Sequence, residues 1–264
     1  MLALIAGAGG LPAELARQLD APPLVCALDG FEPDGIAVDR SFRLEHLGTL
    51  LSELKARGVT DICLAGAIRR PDIDPARIDA ATLPLVPILQ QAILSGDDGA
   101  LRGVIAIFET AGFAVRSAHQ VAPGLLAVSG CETRRQPADA VAADAARAEA
   151  IVGALSTVDV GQCCVVHKGQ ALAIEGVYGT DWMLASLADR PDGRGGLLFK
   201  APKISQDLRV DLPTIGPDTI QAAAAAGLDG VVIQSGGVIV LDRPGVLAAC
   251  DRAGLFLWVR DRDG

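Results

Sequence analysis

The sequence is poor in aromatic residues, in histidine and in positive charge. Two Trp, one Tyr and six Phe among 264 residues leave little with which to build a base-stacking platform. Lys and Arg number 23 against 32 Asp and Glu, a net charge of −9. That balance excludes a general nucleic-acid binder, which needs clustered cations to neutralise phosphates. The three histidines, His46, His119 and His167, are scattered and give a Ser-His-Asp triad little support. Cys26, Cys63, Cys131, Cys163, Cys164 and Cys250 form no CxxC pair and no zinc spacing, so they read as small buried hydrophobes of a reducing compartment. No segment offers the roughly 20 unbroken apolar residues of a membrane span. The opening MLALIAGAGGLP has no basic flank and reads as a strand entering a glycine turn rather than a signal peptide.

What is present is aliphatic. Half the residues are apolar and the mean hydropathy is +0.37, ample for a core. With no span to absorb it, the surplus belongs to a core or a hydrophobic site, in a protein of the cytoplasm with peripheral membrane contact left open.

The first third alternates strand and helix signals. Residues 2–6 predict a strand, 12–19 a helix, 24–28 a strand, 47–57 a helix and 62–65 a strand. That order predicts a Rossmann-like parallel sheet, with ligands at the carboxyl ends of its strands. Helices are expected at 85–94 and 101–111, and a strand at 125–129. A strong Ala-rich helix follows at 138–155, after the linker-like Arg134-Arg135-Gln136-Pro137. The expected domains are therefore 1–134, Rossmann-like, and 135–264, a mixed α/β domain. In the latter, 163–167 and 171–175 read as a hairpin around Lys168-Gly169. Strands are expected at 197–200, 230–233 and 238–241, and helices at 181–189, 217–226 and 244–253.

Three places can carry chemistry. Gly7-Ala8-Gly9-Gly10 joins a strand to a helix, where amides approach anions. Its spacing is not GxGxxG, since Pro12 intervenes, and no P-loop Lys follows. Gly96-Asp97-Asp98-Gly99 precedes a helix; by residue type Asp caps it, and adjacent carboxylates also suit Mg²⁺. The richest stretch is 175–219. Glu175, Gly179, Thr180 and Asp181 lie on a turn opening a helix. The segment from Lys200 to Thr219 then interleaves cations and carboxylates with Pro202, Pro213 and Pro217, which stiffen the backbone. Lys and Arg neutralise phosphate, and Asp holds a metal or orients water. Asp218-Thr219 also reads as a helix cap.

IAGAGGLP, GDDGALR, DVGQCCVV, EGVYGTDWML and KAPKISQDLRVDLPTIGPDT, in that order along nearly the whole chain, resemble the UDP-2,3-diacylglucosamine pyrophosphatase family of lipid A biosynthesis, the type with two α/β domains. The resemblance implies hydrolysis of UDP-2,3-diacylglucosamine to UMP and 2,3-diacylglucosamine 1-phosphate with Mg²⁺ or another divalent cation. It implies catalytic roles for Lys200, Lys203, Gln206, Asp207, Asp211 and position 225. It implies substrate contacts from Gly9, Gly10, Leu11, Asp97, Asp98, Gly179, Thr180, Asp181, Arg209, Thr214 and Thr219, with Asp181 and Asp207 on the metal. It further implies a homodimer working at the inner face of the inner membrane. In one place the chain departs from the expected pattern: Ala225 stands where an acidic residue is expected, which would make this an inactivated, substrate-trapping variant. The alternatives are a non-catalytic binder of nucleotide sugar or lipid, and a nucleotide-dependent oxidoreductase using Gly7 to Gly10 with Asp29.

Overall fold

The computed structural model describes residues 1–262 except 69–72, 95–96, 192 and 204–211, with only the backbone described at 92–94, 97 and 98. The chain forms two compact units that divide after Gly124.

In the first unit, β1 (Leu2–Ala6), α1 (Leu11–Arg17), β2 (Leu24–Leu28), β3 (Arg40–Phe42), α2 (Leu47–Ala56) and β4 (Asp61–Ala65) are followed by α3 (Val86–Leu94), α4 (Asp97–Thr110), β5 (Ala114–Arg116) and α5 (Ala118–Val121). The strands form one sheet in the order β3-β2-β1-β4-β5, and every pairing is parallel. This is the Rossmann-like sheet expected from the alternating signals. The core on one face joins Ala3, Ile5, Cys26, Leu28 and Ile62 of the strands to Leu47, Leu50 and Leu54 of α2 and to Ile105 and Phe108 of α4. The three-residue strands β3 and β5 escape a periodicity reading because both are short edge strands carrying arginine.

Polar bonds tie the segment after β4 to the body of this unit. The buried Glu45 carboxylate accepts from Arg43 and from the Asp74 amide, each at 2.9 Å. The Thr82 hydroxyl accepts from the Gly48 amide at 2.8 Å. Burial alone would raise the Glu45 pKa, but the Arg43 guanidinium and the backbone donors overcome it and hold the carboxyl at about 2.

The second unit contains β6 (Gly130–Cys131), α6 (Val141–Ser156), β7 (Cys163–His167), β8 (Gln170–Ile174), α7 (Gly179–Ala185), β9 (Leu197–Lys200), β10 (Thr214–Ile215), α8 (Pro217–Ala225), β11 (Gly230–Gln234), β12 (Ile239–Val240), α9 (Arg243–Ala253) and β13 (Phe256–Arg260). Its main sheet runs β6-β13-β11-β9-β7-β8, parallel in the β13-β11-β9 centre and antiparallel outside it. β10 and β12 make a separate parallel pair.

Side chains alternate faithfully across the main sheet. Cys163, Val165, Leu198, Val231 and Ile233 face a core shared with α7, α8 and α9. Cys164, Val166, Leu197, Phe199 and Val232 face a second core under Ala145, Ala148 and Val152 of α6. Helices on both sides explain why these strands read as continuous apolar runs. The expected strand at 125–129 is instead a short 3-10 turn at Pro123–Leu125 followed by a single bridge from Leu126 to Ile239. The expected linker at 134–137 is pinned within the second unit: Arg135 donates to Asp229 and to the Gly254 carbonyl, each at 2.8 Å.

Of the six cysteines, five are buried and Cys131 is half-buried, as their apolar settings predicted. Burial pushes the thiols of Cys63, Cys164 and Cys250 up to about 12 and that of Cys26 to about 11.

Candidate active site

The glycine turn of the first unit lies where β1 ends, at the switch point of the strand order. There the chain closes on itself. Ala8 and Ala67 exchange both backbone hydrogen bonds at 2.9 Å, and the Gly7 amide donates to Ala65 O at 2.7 Å. Gly66 has φ +93°, and a Cβ on it would lie 2.4 Å from Gly7 O, so glycine is required for this clasp. The bridge occupies the crevice in which a Rossmann fold holds the pyrophosphate of a dinucleotide. The first turn of α1 is also a weak anion cradle: Pro12 brings no amide, and Glu14 brings a carboxylate. Both observations go against the oxidoreductase reading. Gly9 and Gly10 have open space where a side chain would be, and Leu11 is half-buried. Asp97 and Asp98 begin α4 itself rather than preceding it, and their side chains fall outside the described residues.

In the second unit, the carboxyl edge of the parallel strands carries charge into the interior. Lys200 is the last residue of β9 and is 6% exposed. Its ammonium donates to Thr180 Oγ1 at 2.8 Å, and that hydroxyl donates to Glu175 Oε1 at 2.5 Å. Glu175, also 6% exposed, accepts the Gln162 amide on its other oxygen at 2.8 Å. Threonine can accept one bond and donate another, so it links a buried cation to a buried anion that do not touch. Neither charge would be tolerated there alone.

The local sequence explains the assembly. The tight β7–β8 hairpin returns the chain beside Cys163, the register pairs Cys163 with Lys200, and the turn after β8 swings Thr180 over the strand end. Gly161 permits the last approach: its φ is +57°, and a Cβ there would stand 2.3 Å from Glu175 O. Cys163 lies beneath this group. Burial raises its thiol well above the ordinary value, while the Lys200 charge pulls the other way.

The other expected residues scatter around this core. Gly179 and Asp181 open α7, and Asp181 is exposed. Lys203 is paired with Asp159 at 2.6 Å. Thr214 begins β10 and donates to Leu212 O at 3.3 Å. Thr219 Oγ1 accepts the Gly216 amide at 3.2 Å, which is the helix-capping role its position allowed. Gln206, Asp207, Arg209 and Asp211 lie outside the described residues. Glu175, absent from the expected ligands, is the addition: a lone acidic residue closing an otherwise uncharged strand is the signal that points to it.

Ala225 is exposed at the last position of α8, about 10 Å along the axis from the first-turn Asp218. The N-terminal end of α8, where Asp218 and Thr219 sit, is the end that follows β10 and Thr214.

Among the described residues, no three His, Cys, Asp or Glu side chains gather so as to hold a metal ion. Both Glu175 oxygens are engaged by Thr180 and Gln162, leaving Asp181 as one carboxylate. The described carboxylates therefore do not by themselves build a cation site.

The structure is thus a two-domain α/β protein whose second unit buries an ammonium at a strand end. The family model of the LpxI N-terminal domain matches residues 1–125, and that of the LpxI C-terminal domain matches residues 128–258. The chain belongs to the LpxI family. It is 39% identical to the UDP-2,3-diacylglucosamine pyrophosphatase LpxI of Caulobacter vibrioides, an alignment covering 97% of this chain and 96% of that protein.

Proposed function

We propose that this protein hydrolyses the pyrophosphate of UDP-2,3-diacylglucosamine, releasing UMP and 2,3-diacylglucosamine 1-phosphate for lipid A biosynthesis. The observation that carries this reading is the 39% identity to the Caulobacter vibrioides enzyme over both domains. The buried Lys200–Thr180–Glu175 chain gives it a physical basis.

A pyrophosphate diester carries two negative charges, which repel the attacking water. A cation held at a fixed point neutralises that charge and stabilises what develops on the leaving phosphate. Lys200 is so held: Thr180 fixes its ammonium, and Glu175 fixes Thr180. In the reaction, a water oxygen forms a bond to one phosphorus and the bond from that phosphorus to the bridging oxygen breaks. The water's proton passes to a carboxylate base, for which Asp207 and Asp211 are the candidates. The electron pair stays on the departing phosphate.

Mg²⁺ belongs to the proposal, with Asp181 and Asp207 as its protein ligands and the substrate phosphates as further oxygen donors, a common arrangement for this ion. It would add charge neutralisation. The action is placed at the cytoplasmic face of the inner membrane, since two acyl chains keep the substrate in a bilayer.

The test is direct. Purified protein incubated with UDP-2,3-diacylglucosamine and Mg²⁺ is expected to release UMP, and EDTA is expected to suppress it. No UMP from folded protein would leave only nucleotide-sugar binding. UMP release unchanged by EDTA would remove the cation.

A further inference from the structure

Aromatic side chains are scarce in this chain, and two of them are placed against the usual rule. Tyr178, the sole tyrosine, is 72% exposed, and Trp182, one of two tryptophans, is 60% exposed. Their rings touch one another, with centroids 5.2 Å apart. Val177, at 93%, and Ile174, at 46%, precede them in the chain and are exposed as well. The following side chains, Met183 and Leu184, point into the core, so α7 is anchored while Trp182 stays outside beside the exposed Asp181. The patch is continuous with the site: Glu175, Thr180 and Asp181 alternate with its members along the chain.

The surrounding charge narrows the occupant. From Gly169 to Asp189 there is no Lys or Arg, and the whole protein carries −9. An anionic surface would not be drawn here by electrostatics. Four side chains offer roughly 500 Å² at most, short of the about 800 Å² per partner that a stable protein interface buries. A Tyr–Trp pair with aliphatic neighbours is instead the composition that settles at the headgroup level of a bilayer.

We propose that Ile174, Val177, Tyr178 and Trp182 are a membrane-docking patch, which inserts into a lipid surface and holds the Lys200–Thr180–Glu175 site against it. The membrane contact does not depend on the catalytic reading; its use in delivering substrate does.

The full chain is mixed with phosphatidylcholine vesicles, with and without phosphatidylglycerol. Co-sedimentation is expected with both, differing by less than about threefold, because apolar insertion rather than surface charge drives it. Trp182 emission should shift to the blue and be quenched by brominated lipid. Val177→Asp and Trp182→Ala should each weaken vesicle binding at least tenfold, whereas Leu83→Asp, at an exposed leucine of the other unit, should not. With substrate embedded in vesicles, UMP release by Trp182→Ala should fall about tenfold, while release from a short-acyl, water-soluble analogue stays within twofold. Binding without UMP from either substrate would sink the catalytic reading and leave the patch standing. Absence of wild-type binding, binding only with phosphatidylglycerol, or equal loss in Leu83→Asp would overturn the proposal. So would self-association that Trp182→Ala abolishes, which would assign the patch to a second copy.

Discussion

The two units share a plan and use it differently. Each has parallel strands whose carboxyl ends lead into loops, the usual place for a ligand. In the first unit backbone bridges that edge: Ala8 and Ala67 pair across it, and Gly66 makes room. In the second it carries charge: Lys200 and Glu175 are buried there and linked through one hydroxyl. Strand order alone therefore does not locate chemistry. What the loops do at the strand ends decides it.

The comparison can be broken at Lys200 first. Lys200→Met should leave UMP release lower by about 10²–10³-fold, the scale of losing one preorganised charge stabiliser. Turnover within tenfold of wild type would move the chemistry elsewhere. Next, Gly66→Ala sets a Cβ against Gly7 O at a positive φ and should cost about 2–4 kcal/mol of stability, read by urea unfolding. A change under about 0.5 kcal/mol would mean the clasp opens freely.

Smaller is the acid effect of Glu45. Its carboxyl is held at about 2 in the folded protein against an ordinary 4.5. Its contribution is thus complete above pH 4.5 and is lost as pH falls through 2. Glu45→Gln should flatten the stability profile between those values, and an unchanged profile would contradict the buried pairing with Arg43. Smallest of all, Ala225→Asp should leave turnover unchanged, because position 225 is exposed at the last position of α8, about 9 Å along the axis from Thr219. A gain of tenfold or more would show that this chain lacks a catalytic acid there.

Much of this was legible in the residues. The runs at 2–6 and 24–28 become strands with those same limits, and the Ala-rich helix is a residue or three from its expected ends. Local periodicity suffices where a segment is long and one-sided. It fails at Leu125 to Ser129, whose apolar letters suit a strand that lacks a ladder to join. It also passes over β13, four apolar residues and an arginine that pairing with β11 and β6 defines as a strand. The site was half legible. Thr180 and Lys200 stand out by motif, but their bond spans 20 residues and depends on the register of β7 with β9. Glu175 looked like turn polarity until burial showed it to be the anion that compensates the lysine.

The buried lysine also sets how the protein answers its medium. Mobile ions screen exposed charges over about 8 Å at physiological ionic strength, and they screen interior ones far less. A phosphate that reaches Lys200 meets a cation that salt does not dilute. Added salt should therefore leave the final grip on the phosphate largely intact, and kcat should hold as ionic strength rises.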